Sequence, residues 1–176
     1  MLKSIDPEKA KDSEFRQALD YGIRRILSMQ RSDGGFNGWP GIGYSSSYAW
    51  TTAYAVHFLT EAKSTGLVPQ DALKSALDWM RSYLSSSLPD DNSSIMNALS
   101  VKAYVCYVLA LNGDAPLGWM QFLGEQGKFL TQTARIFLAG ATAVATGKPD
   151  ALEEPGTQPL ARPARHGWSL ESSPHH

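Results

Sequence analysis

Residues 30–50 read QRSDGGFNGWPGIGYSSSYAW. This stretch is rich in glycine, carries two of the five tryptophans, and lies between two segments with a strong helical period. Glycine permits positive φ and lets other backbone come close. The aromatic residues Phe36, Trp39, Tyr44 and Trp50 supply rings that can fold back onto helix ends. Flexible backbone combined with large rings predicts a loop anchored between helices. The expected structural signature is Gln30, Asp33, Gly34, Gly35, Phe36, Trp39 and Trp50, with positive φ at Gly35.

Working outward, the flanking segments read as alternating helices. In 13–30 the apolar residues Phe15, Leu19, Ile23, Ile26 and Leu27 trace one stripe, and Asp33-Gly34-Gly35 stops it. Asp12 or Ser13 is placed to cap its start. The next helix, 47–65, is apolar nearly all round, with Tyr48, Trp50, Tyr54, Val56, Phe58 and Leu59, and Gly66 closes it. Pro69 suits the first position of a one-sided helix, 69–85, with Leu73, Ala76, Leu77, Met80 and Leu84 inward. SSSLPDDNSS is a loop by composition. A helix over 94–112 is again apolar on most sides, a short one covers 117–125, and an alanine-rich one with Ile136, Phe137 and Leu138 covers 131–146. The alternation of one-sided and buried helices predicts an all-α chain in which outer and inner helices pair as about three hairpins of a partial α/α toroid. The expected domains are an N-terminal arm over 1–12, a helical-hairpin domain over 13–149, and a Pro-rich, disordered tail over 150–176.

Bulk properties narrow the function. The 176 residues are 43% hydrophobic, enough for a real core. Sixteen basic residues face 17 acidic ones, which argues against nucleic acid or an anionic membrane surface. No apolar run approaches the ~18 residues of a membrane span. MLKSIDPEKAKDSEF lacks the apolar core of an export signal. The lone Cys106 allows no internal disulfide.

The segments DYGIRRILSMQRSDGGFNGWPG and YAWTTAYAVHFLTEAKSTGLVPQDALKSALDWM resemble the thioester-containing domain of bacterial α2-macroglobulins, and more distantly that of complement proteins. The run from Trp50 to Tyr54 is the most telling part, and FLTQTARIFLAGATAVATGKPDAL is similar to the family's following helix pair. The resemblance covers about residues 13–152. It implies membership of proteins that trap proteases, a toroid of six helical hairpins, a periplasmic or extracytoplasmic setting, and a Cys-x-Glu-Gln motif whose side chains form an internal thioester. This chain departs from that motif: Cys106 lies in YVCYVLA with no Glu-Gln after it, and Glu125-Gln126 follows Leu123 rather than a cysteine. In the family the motif lies upstream of the glycine loop, where this chain has too little sequence to hold it. The expectation is roughly half a toroid without the thioester chemistry.

Other candidates have plain readings beside sharp ones. His57 with Glu61 at i+4 could begin a metal or acid–base site, but a core or interface histidine explains it better. Cys106 among Val105, Tyr107 and Val108 reads as inert packing. Asp90-Asp91-Asn92 lacks the third acid of a magnesium-diphosphate motif and reads as a solvated loop that caps the next helix. The loop lacks the spacing of a phosphate cradle. His166, His175 and His176 lie in the tail. Trp39, Tyr44, Tyr48, Trp50, Tyr54 and Phe58 could line a hydrophobic substrate cavity, but a packed core is the simpler reading.

The expected function is therefore a fragment of an α2-macroglobulin-like protease-trapping protein, with a structural or interaction role and no catalytic residues, metal or cofactor. The expected partners are the rest of such a protein and, through it, proteases. Self-association through open toroid edges around Phe15, Leu19 and Ile23 at one end and Ile136, Phe137 and Leu138 at the other is also expected. The alternatives are a fragment of a toroidal prenyltransferase or terpene-cyclase-like enzyme, and a helical protein-binding scaffold.

Overall fold

A computed structural model describes residues 13–39 and 47–148. The expected arm and tail, Asp12, Tyr44 and the three tail histidines lie outside the described residues.

Among the described residues six α-helices follow one another: α1 Ser13–Leu27, α2 Ala49–Ala62, α3 Gln70–Leu84, α4 Asn92–Leu111, α5 Leu117–Glu125 and α6 Gln132–Thr146. A 3-10 turn, Lys63–Thr65, extends α2 to Gly66. The helices make two layers, with α4 packed between α2 and α6. Over these three, α3 lies against α2 and α4, and α5 lies against α4 and α6. Three hairpins with inner and outer members form part of an α/α toroid.

Helix boundaries follow local chemistry. Asp91 has extended backbone and its carboxylate accepts from the Ser94 N–H at 2.9 Å, so α4 starts at Asn92, two residues before the expected point. Thr131 does the same for Ala134 at the start of α6. Pro69 is not the first helical residue: its ψ of 126° is extended, and α3 begins one residue later.

α4 is the centre of the core. From Leu99 to Ala110 every residue except Tyr107 is buried. The helix is long and apolar enough to cross a bilayer by length and composition, which corrects the expectation that no run came close. Here four neighbouring helices cover it instead.

Two expectations of burial change. α6, expected to be a buried helix, buries only Ala134 and Ala141, whereas Ile136 is 52% exposed, in line with the open edge expected there; among the described helices α6 packs on α4 and α5. Leu19 and Ile23 were expected at an open edge. They are instead buried in the common core, while Phe15 on the same helix meets water.

Candidate functional site

The glycine loop is tied at both ends. After α1, the backbone of Gln30 and Phe36 forms an isolated antiparallel bridge, and Arg31 N–H donates to Gly35 O at 2.9 Å. Gln30 Nε2 donates to Gly34 O at 3.0 Å and to Ala72 O, in the first turn of α3, at 2.9 Å. One amide thus joins the loop to the second hairpin. Phe36 is fully buried, and its N–H donates to Thr52 Oγ1 of α2 at 2.9 Å.

Asp33 collects three donors: Gly35 N–H at 3.0 Å, Ser47 Oγ at 2.8 Å and the indole Nε1–H of Trp79 on α3 at 3.2 Å. Burial alone would raise the Asp33 carboxyl. The bonds from Ser47, Gly35 and Trp79, with the charge of Arg31, outweigh it and hold the group below the usual carboxylate range.

The glycines have different reasons to be glycine. Gly34 has φ +92°, and a Cβ there would run into the Ser75 carbonyl of α3. Gly35, expected to hold the positive φ, does not. Its Cβ would lie 2.5 Å from Ser47 Oγ and 2.8 Å from the Trp79 ring, so close packing sets that position. Trp39 is a clearer correction: it is 67% exposed and is no buried anchor. The described rings that do bury at this end are Phe36, fully, and Trp50, in part.

Trp50 belongs to a second cluster, across the inner helices. Its Nε1–H donates to Asn97 Oδ1 at 3.2 Å, and it stacks on Tyr54 with centroids 5.9 Å apart. Tyr104 of α4 sits at the middle, in ring contact with Trp50, Tyr54, His57 and Phe137. The expected packed core of aromatic residues is only half right. Tyr54 is 60% exposed despite its contact with Tyr104, and Tyr48 is exposed too.

His57 connects this cluster to Glu61. Its Nδ1 lies 2.8 Å from Tyr104 Oη, and its Nε2 lies 4.0 Å from Glu61 Oε1. With Nε2–H toward the carboxylate, Nδ1 accepts and the Tyr104 hydroxyl donates. Burial lowers the His57 pKa, and Glu61 opposes that in part. Burial also raises the Tyr104 pKa, aided by Tyr54 and Tyr107. Burial disfavours the charged form of both groups, and the bond between them leaves a satisfied neutral pair. Among the described residues, no three His, Cys, Asp or Glu side chains converge as metal ligands.

Cys106 is fully buried, and burial pushes its thiol up to about 12, with Lys102 opposing. A nucleophilic thiolate needs the opposite setting. Sequence reasoning passed over Lys102, one turn away on α4. It is 1% exposed, and its Nζ donates to the carbonyls of Tyr83 at 3.0 Å, Leu84 at 2.6 Å and Ser86 at 3.0 Å. The one signal in the sequence was a lone charge within an otherwise apolar helix.

Comparison with known proteins places this geometry. Residues 3–110 match the family model described as the A-macroglobulin TED domain. The chain is 33% identical to Alpha-2-macroglobulin of Escherichia coli over 129 residues, 70% of this chain and 8% of that protein. It is 28% identical to Alpha-2-macroglobulin of Xylella fastidiosa over 151 residues, 81% of this chain and 9% of that one. It superposes on the crystal structure of native Escherichia coli alpha-2-macroglobulin, spanning domain MG7 to the C-terminus, with a TM-score of 0.69 and 30% identity over 81% of this chain and 23% of the other. A structure of Salmonella alpha-2-macroglobulin reacted with methylamine gives a TM-score of 0.68 at 31% identity, over 81% of this chain and 10% of that one. The chain thus spans under a tenth of the two full-length relatives named here.

Proposed function

This chain belongs to the α2-macroglobulin family through its TED domain, and on that premise we propose that it is a structural and interaction segment of a protease-trapping protein, with no thioester and no enzymatic activity of its own. In this reading residues 13–149 are the working helical domain, the remainder of an α2-macroglobulin-like protein is the partner, and proteases are engaged through that whole. An extracytoplasmic setting belongs to the same proposal.

The observation that carries the reading is the state of Cys106. The chain's one cysteine is a core side chain of α4, fully buried and held as a thiol. A thioester requires a cysteine sulfur bonded to a glutamine side-chain carbonyl, and no Glu-Gln follows Cys106. Intact mass after methylamine treatment tests this. The expected spectrum is unshifted. One amine adduct together with a newly free thiol at Cys106 would overturn the proposal.

The loop residues Gln30, Asp33, Gly34, Gly35 and Phe36 are assigned a structural role in this scheme, joining the first hairpin to the second. The bonds from Gln30 to Ala72 and from Trp79 to Asp33 support it.

A second reading rests on exposed Ile136 and Val144 of α6 and Phe15 of α1, which favour self-association through the ends of the helical array. Light scattering across a dilution series decides it, and a monomer mass at every concentration refutes it.

A further inference from the structure

Lys102 occupies a cage. Its three carbonyl acceptors come from the last two residues of α3 and the turn that follows, and Ser86 Oγ lies 3.3 Å away. The Tyr83 ring centroid is 5.0 Å from Nζ and that of Trp119, on α5, is 4.6 Å away. The terminal carbonyls of a helix have no partner within the helix and carry the negative end of its dipole. An ammonium offers three N–H groups, and three carbonyls meet them here. The ring faces supply the remaining coordination, since a cation is drawn to the negative face of an aromatic ring. Burial lowers the lysine pKa to about 8, so the group is still mainly protonated at pH 7.

The position of the cage gives it a consequence. α3 and α5 each pack on α4, and Lys102 rises from α4 between the end of the first and a ring of the second. The Tyr83 ring that covers the ammonium is itself stacked on Trp79, 5.5 Å away at 5°, and Trp79 donates to Asp33 of the glycine loop. A line of contacts runs from that loop through Trp79, Tyr83 and Lys102 to Trp119.

We propose that Lys102 is a cation joint that couples the C-terminal turn of α3 to α5, so that the two outer helices open as one cooperative unit. Loss of the cation takes a donor from the Leu84 and Ser86 carbonyls on one side, while Tyr83 O keeps the Ser86 N–H and Oγ–H, and takes the charge from the Trp119 ring on the other; the exposed Arg81–Asp114 pair then remains as a polar link between the end of α3 and the turn before α5. The joint is a conformational device of the fold and stands whether or not the proposed role in a protease trap is correct.

Native-state hydrogen exchange on the whole chain tests the coupling. In Lys102→Met the stem volume is kept and the cation is lost. The expected result is a tenfold or greater loss of protection in the last turn of α3 and in α5, by similar factors, with α2 unchanged. Reciprocally, Trp119→Leu is expected to lower protection at the end of α3. Protection lost at α3 alone in both variants would overturn the joint, as would protection unchanged at both helices. Should Lys102→Met fail to fold, Trp119→Leu still decides. Lys102→Ala adds a chemical test, since propylammonium restores the missing atoms. Propylammonium is expected to raise its melting temperature, and tetramethylammonium, which has no N–H, is not. Equal effects of the two cations would refute the role of the carbonyl bonds.

Discussion

Gly34→Ala isolates what the glycine loop does for the fold. At φ +92° an L-residue is strained by about 1–2 kcal/mol. The added methyl also meets the Ser75 carbonyl, which is helix backbone and cannot turn aside. The loop must therefore withdraw from α3. Withdrawal strains the Gln30 bond to Ala72 and the Trp79 bond to Asp33, each worth about 1 kcal/mol net. The expected total is about 3–4 kcal/mol. Gly66→Ala is the internal control, because Gly66 has φ +73° with open space around it. It bears the conformational strain alone, and about 1 kcal/mol is expected. Urea unfolding of both variants measures the difference, and at about 2–4 °C per kcal/mol the gap in melting temperature is several degrees. If Gly34→Ala costs no more than Gly66→Ala, the contact with α3 contributes nothing and the loop does not join the first hairpin to the second.

Two other outcomes follow from the same geometry. Phe36→Ala removes a fully buried ring and is expected to cost about 3–5 kcal/mol, whereas Trp39→Ala, at a ring 67% exposed, stays within about 0.5 kcal/mol; thermal melts that reverse this order would refute the assignment of the anchor. His57 has a folded-state pKa below its ordinary 6.5, so the unfolded chain binds this proton first. Stability from this residue is complete above pH 6.5 and falls as the pH drops toward the folded-state value. Unfolding free energies from pH 7.5 to 5 should decline less steeply in His57→Gln, and parallel slopes would show that His57 is not the group responsible.

The sequence by itself carried the helix count, the alternation of one-sided and all-round apolar helices, and the loop that joins the first hairpin. These are local properties. The stripe of Leu73, Ala76 and Met80 forces one face of α3 inward wherever that helix lies. Asp91 caps α4 through a bond three residues away, so its role was open to reading from its neighbours alone. Which glycine takes positive φ was decided by tertiary structure, since Gly34 lies against Ser75, 41 positions along the chain, and Gly35 lies against Trp79. Ring exposure was decided the same way: Trp39 and Trp50 sit in the same aromatic run, and only Trp50 has α4 to pack on. Lys102 shows the limit most directly. A lone charge in an apolar helix looks like a fault until the ends of α3 and α5 are brought around it, and carbonyls that no sequence pattern marks as partners turn it into a joint.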